Sequence, residues 1–157
     1  AGMAKAVGPY CKNPLMVKPS PNVTDIASFA KAVESEGADA VSLINTLLGM
    51  RIDIQTRRPI LKNNVGGMSG PAVFPIALRM VWQVANAVSI PVVGMGGIAK
   101  WEDAVEMMMA GASAVQIGAA MFWDPWSPIH VVEGLDAYLE EKQIKRVSDI
   151  VGTVEPW

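Results

Sequence analysis

Sulfur cross-links and thiolate metal cages are excluded first, because the chain holds a single cysteine, Cys11; a disulfide needs two and a cysteine zinc site needs more. Histidine is as scarce. His130 stands alone, too little for a histidine metal site or a Ser-His-Asp triad, and reads as a helix-end or surface residue. Charge is sparse at 18%, and 13 Lys and Arg against 15 Asp and Glu leave a net charge of −2, with no basic footprint for nucleic acid. No apolar run approaches the roughly 20 residues that cross a bilayer, and no charged-then-apolar leader opens the chain. These features predict a soluble, cytoplasmic protein. Asn22-Val23-Thr24 matches a glycosylation acceptor, which carries no weight without a secretion signal.

What the chain has is apolar mass. Hydrophobic residues make up 51% and the mean hydropathy is +0.29, a composition that suits a parallel sheet covered on both faces or a chain with an uncovered interface. At 157 residues it is one domain's worth, able to bury roughly 68–70% of its unfolded surface.

The stretch IPVVGMGGIA at 90–99 organises the rest. Val92 and Val93 run into Gly94-Met95-Gly96-Gly97, and a helical pattern follows: a buried strand, a glycine turn, and backbone N–H groups bare at a helix N-terminus, the geometry that receives phosphate. ASAVQIGA at 112–119 is a second apolar strand ending in Gly118-Ala119. Two neighbouring strands with small-residue tips can hold one phosphate between them. Gly94, Gly96 and Ala99 also satisfy the dinucleotide fingerprint, but Gly118 stands where the next strand should end in an acid, so that match is weak.

Taken in order, 1–13 reads as a poorly ordered lead-in or the tail of something cut away, and 14–19 as a short strand with Lys18 at its end. Thr24 can cap a helix with Ile26, Phe29, Ala30 and Val33 facing inward, stopped at Gly37. A second strand ends in Asn45-Thr46. Residues 47–70 cannot make one regular element, and a loop of that length in a compact domain is usually functional or disordered. Helices over 71–88 and 102–110 flank the third strand. The Met107-Met108-Met109 run reads as core filler. A last helix over 129–142 and a short one over 147–151 complete four strand-helix units, so the sheet should be parallel. A full (β/α)8 barrel needs about 250 residues, so half a barrel is expected, with exposed edges that favour self-association.

In such repeats ligands gather at the C-terminal strand ends. Those ends supply Lys18, Asn45-Thr46, Gly96-Gly97 and Gly118-Ala119: a cation, an amide with a hydroxyl, and two glycine turns. Together they suit an anionic, planar, hydrogen-bonding ligand with a phosphate tail. Each has a plainer reading as well. Lys18 can be a solvated charge, and Asn45 can merely cap its own turn through Thr46.

Five blocks, KPSPNVTDI (18–26), SLINTLLGMRIDIQTRRPIL (42–61), GGMSGPAVFPIALRMV (66–81), PVVGMGGI (91–98) and GASAVQIGAAMF (111–122), resemble the C-terminal half of class 1 dihydroorotate dehydrogenases, the NAD-linked 1B catalytic subunit fitting best. The resemblance implies that 14–157 are the last four β/α units of an FMN-bearing (β/α)8 barrel oxidising dihydroorotate to orotate in pyrimidine (UMP) biosynthesis. It implies Lys18 beside the flavin, backbone contacts to flavin from Ile44 and Gly70, orotate held by Asn45 and Thr46, and the phosphate held by Gly96, Gly97, Gly118 and Ala119. A homodimer and an iron-sulfur flavoprotein electron-transfer subunit are implied for the whole enzyme.

The family's catalytic base, a cysteine in an asparagine-rich loop after an earlier strand, has no counterpart in these residues. Cys11 lies before a strand rather than after one and is not assigned to the role. No catalytic residue is therefore expected in the segment, and the chain alone is expected to be inactive. Three other readings compete: an FMN domain like that of dihydropyrimidine dehydrogenase, a half barrel that binds phosphate or flavin without reacting, and a plain parallel-sheet scaffold with no ligand at all.

Overall fold

The computed structural model describes residues 2–157. The chain runs through α1 (Gly2–Val7), β1 (Met16–Val17), α2 (Ile26–Ser35), β2 (Ala40–Leu43), β3 (Leu47–Gly49), β4 (Ile52–Asp53), β5 (Arg58–Pro59) and β6 (Gly66–Met68). It continues through α3 (Phe74–Ala85), β7 (Val92–Met95), α4 (Trp101–Met109), β8 (Ala114–Gln116) and α5 (Ser127–Glu141).

Four strands form one sheet in the order β1-β2-β7-β8, every pairing parallel. Val41 sits opposite Val92 and Gly94 opposite Val115, so all four strands present their C-terminal ends on the same side. Helical crossovers α2, α3 and α4 return the chain each time, as parallel pairing demands. This is the α/β architecture of part of a (β/α)8 barrel.

The helices bury the stripe that their spacing dictates. Ile26, Ala30 and Val33 of α2, Ala77, Met80, Val81 and Val84 of α3, and Ala104, Val105 and Met107 of α4 are buried, most of them in one cluster with Leu43 and Val92 of the sheet. Gly94 lets α4 come close, since a Cβ there would stand 3.1 Å from both Met107 Sδ and Ala112 Cβ. Met107 and Met108 are core residues, as their run suggested. A second, smaller cluster joins Val105, Met108 and Ile150, with the Trp101 and Tyr138 rings 5.7 Å apart between centroids and tilted by 35° where α5 meets α4.

Several boundaries differ from the sequence reading, for local reasons. The lead-in is helical at Gly2–Val7 and continues as a 3-10 turn at Gly8–Tyr10 that Pro9 opens; its alanines are good helix formers. Asp25, not Thr24, caps α2, its Oδ1 accepting from the Ser28 amide at 3.1 Å and its Oδ2 from the Ser28 hydroxyl. Phe29 is 50% exposed rather than inward, because it lies about 60° round the helix from Ile26, at the margin of the buried stripe.

The 47–70 stretch is an arm of two antiparallel pairings. Leu47 pairs with Met68 and Gly49 with Gly66 at its root, and Ile52 pairs with Pro59 further out. Leu48 (64% exposed) and Ile54 (81% exposed) show how little of its apolar surface is covered.

Candidate functional site

The C-terminal ends of the four parallel strands open onto one cavity of about 310 Å³. Its lining takes Lys18 from beyond β1, Ile44, Asn45 and Thr46 from beyond β2, and Gly70 from the foot of α3. Gly96 and Gly97 come from beyond β7, Gly118 and Ala119 from beyond β8. Every residue singled out from the strand ends thus reaches the same mouth. Ser69, Met95, Gln116 and Ile117 complete the wall.

At the β2 tip, Asn45 Oδ1 accepts from the Thr46 amide at 2.8 Å. The acceptor end of the side chain is engaged in its own turn, which leaves the NH2 group as its donor. Thr46 is crowded from the arm: a Cβ at Gly67 would overlap Thr46 Oγ1 and Cβ, so the return strand β6 must be glycine at that point.

At the β7 tip, Gly96 and Gly97 have φ of +122° and +79°, backbone that L side chains rarely adopt. Space forbids a side chain as well. A Cβ on Gly97 would stand 2.7 Å from the Gly70 carbonyl oxygen and 2.8 Å from the Phe74 nitrogen, and one on Gly96 would stand 2.9 Å from Ala77 Cβ. The glycine turn is therefore seated against the start of α3.

The bare helix N-terminus expected after this turn is corrected. The amides of Ala99 and Lys100, leading into α4, both donate to Asp103 Oδ2, at 2.9 and 3.1 Å. Free donors lie elsewhere on the rim: among the described residues, the amides of Gly97 and Gly118 give to no protein acceptor. A Cβ added at Gly70 or Gly118 would meet nothing within 4 Å, so at those two lining positions the backbone is open to a ligand.

Lys18 is the one charged side chain in the lining, and no carboxylate faces it there. Free amides, one cation and no acid give the mouth a positive electrostatic character. Among the described residues no three of His, Cys, Asp and Glu come together. His130 pairs with Asp124 at 3.0 Å on an exposed face, and Cys11 is exposed outside the cavity. No helix is long and apolar enough to cross a membrane among the described residues. A larger cavity of about 490 Å³ lies between α3, α4 and the last residues of the chain; it takes no strand tip, and its lining is chiefly apolar, so it is not the site.

Sequence reasoning passed over Gln116, although a polar residue inside the apolar run of β8 was a signal for it. It also passed over Asn22, whose side chain donates to the Thr46 carbonyl at 3.0 Å and accepts from the Leu48 amide at 2.9 Å. Nothing in a turn sequence announces a bond 24 to 26 residues away.

Parallel β/α units that bring a cation, polar groups and glycine turns to one rim have the architecture of part of a (β/α)8 barrel, at the face where such barrels bind ligands. The chain belongs to the dihydroorotate dehydrogenase family, whose sequence profile matches residues 1–139. It is similar to the protein named dihydroorotate dehydrogenase B (NAD(+)), catalytic subunit, of Bacteroides fragilis, at 61% identity over 153 residues, 98% of this chain and 50% of that one. The proteins of the same name from Alkaliphilus oremlandii and Brachyspira hyodysenteriae are 55% identical over 96% of the chain and 59% identical over 90% of it, covering 50% and 46% of their own lengths. The chain spans about half the length of the relatives it matches.

Proposed function

We propose that these residues form the flavin- and substrate-binding portion of a dihydroorotate dehydrogenase, taking flavin mononucleotide across the strand tips and orotate or dihydroorotate at the β2 tip. The observation that carries this reading is the shared cavity at the ends of β1, β2, β7 and β8. From β1 to β8 the rim spans three interstrand gaps, roughly 14 Å, room for a ring at one end and a phosphate at the other.

The donor set fits that ligand. The unpaired amides of Gly97 and Gly118 would hold the phosphate with Gly96 and Ala119 beside them, and Gly70 and Ile44 would line the path of the ring. Lys18 places a positive charge at the opposite end of the rim, where it favours negative charge on a bound ring. Asn45, donating through its NH2, and Thr46, through its hydroxyl, would hold the carbonyl and amide groups of the pyrimidine. Flavin mononucleotide, when bound, supplies the hydride acceptor. Cys11 is exposed outside the cavity and takes no part in this reading. Proton removal from the substrate then falls to a group the described residues do not include, and the 157-residue chain by itself should turn over dihydroorotate slowly or not at all. The name of the relatives, a catalytic subunit of NAD(+) type, supports a second subunit in the whole enzyme.

Titration of the purified chain with flavin mononucleotide, followed by flavin fluorescence, tests the reading. Saturable binding is expected, with a shift of the flavin absorbance band on adding orotate. Lys18→Ala should weaken flavin binding about 10- to 100-fold, the loss of a charged hydrogen bond. No binding by the wild-type chain, or binding that orotate leaves unperturbed, would overturn it.

A further inference from the structure

Asn22 sits on the turn between β1 and α2, yet its side chain serves another part of the molecule. Nδ2 donates to the Thr46 carbonyl at 3.0 Å while Oδ1 accepts from the Leu48 amide at 2.9 Å. One planar amide thus pairs with a carbonyl and an N–H on either side of Leu47, where the chain leaves the β2 tip for the arm. Nδ2 and the Asn22 backbone amide also both donate to Ser20 Oγ at 3.2 Å, which ties down the turn that begins just after Lys18. On the other flank, Gly67 presses against Thr46. Thr46 is held between Asn22 and β6.

Only Asn or Gln offers a donor and an acceptor side by side in one plane, and Gln would place them one carbon further out. Asp can accept but not donate. These bonds span 24 and 26 residues and link two strand tips, whereas a local turn cap would bond within its own loop, as Asn45 does.

We infer that Asn22 is a positioning residue: it sets the Thr46 tip against the start of the arm, and thereby fixes how the site meets the pyrimidine ligand. The inference rests on the assignment of Asn45 and Thr46 to that ligand. Asn22 acts at the β1-β2 end of the rim, while the free amides proposed for the phosphate lie at the β7-β8 end. Its loss should therefore separate the two ligands. The pyrimidine should weaken while flavin mononucleotide holds.

The test compares wild type with Asn22→Ala and Asn22→Asp by amide exchange at Leu48 and by dissociation constants for flavin mononucleotide and for orotate on the flavin-loaded chain. Asn22→Ala should deprotect the Leu48 amide and raise the orotate constant at least about 10-fold, with the flavin constant changed less than about twofold. Asn22→Asp should keep the Leu48 amide protected, through its remaining acceptor, and still weaken orotate by losing the Thr46 donor. If Asn22→Ala fails to fold, the aspartate variant decides alone: Leu48 protected and orotate bound as in wild type would overturn the inference. An unprotected Leu48 amide in the wild-type chain would also overturn it, as would orotate affinity indifferent to Asn22→Ala. A wild-type chain that takes no flavin removes the functional reading and this inference together, whereas one that takes flavin and orotate regardless of Asn22 removes the inference alone.

Discussion

A methyl group is enough to test the β7 tip. Gly97 combines a φ of +79° with backbone atoms 2.7 and 2.8 Å from where a Cβ would stand, and backbone, unlike a long side chain, has nowhere to retreat. Left-handed backbone alone costs an L residue about 1–2 kcal/mol, so Gly97→Ala should lower Tm by roughly 2–8 °C and weaken flavin mononucleotide in parallel. Thermal melting and flavin titration read the two effects. An unchanged melt would mean that the turn has room for a side chain.

Asp25 gives the residue scale a pH dependence. The Ser28 hydroxyl, then the Ser28 amide, hold its carboxyl below the ordinary aspartate value of 3.8. A carboxylate depressed by folding stabilises fully above its unfolded pKa and stops doing so as pH falls through the folded one. Asp25→Ala should therefore melt lower than wild type at pH 7, with the gap closing as pH drops below about 4. A gap that stays constant down to pH 2 would show that the carboxylate charge is not what caps α2.

Among the elements, the arm and the central strands should differ sharply in local stability. Strands β2 and β7 are interior to the sheet, with Val41 and Val92 buried and the Ile44 amide bonded to the Met95 carbonyl at 2.9 Å. The outer pairing of the arm is two residues long, and Ile52 and Ile54 are exposed. Few buried contacts mean cheap local opening. Hydrogen exchange should run about 100-fold or more faster at Ile60, which donates to the Arg51 carbonyl at 3.0 Å, than at Val41. Equal protection would show the arm to be locked onto the body.

Elements also show why some of the structure was legible in the sequence and some was not. Strand-helix alternation, with apolar runs ending in small or polar residues, located all four parallel strands and hence the four tips, because burial on both faces leaves a continuous apolar run. The arm carried no such mark. Its strands are two or three residues long, too short for alternation, and Leu47 finds its partner at Met68 only through the fold. Phe29 misled for a related reason: periodicity fixes the direction of a stripe but not its width. Asn22 was hidden because its role depends on two tips being side by side, and the helix-start amides were misread because Asp103, two residues into α4, reaches back to take them.

At the scale of the whole molecule, β1 and β8 are the outer strands of the sheet, and the chain matches about half the length of its relatives. What these residues hold is a rim with a cation at one end and open amides at the other, the layout for a ligand charged at its tail. Riboflavin has the ring of flavin mononucleotide without the phosphate, so the two compounds separate a phosphate cradle from a mere apolar slot. Measured on the same purified chain, flavin mononucleotide should bind about 100-fold or more tightly than riboflavin, the worth of two charge-assisted hydrogen bonds. Equal dissociation constants for the two would contradict the account at its centre.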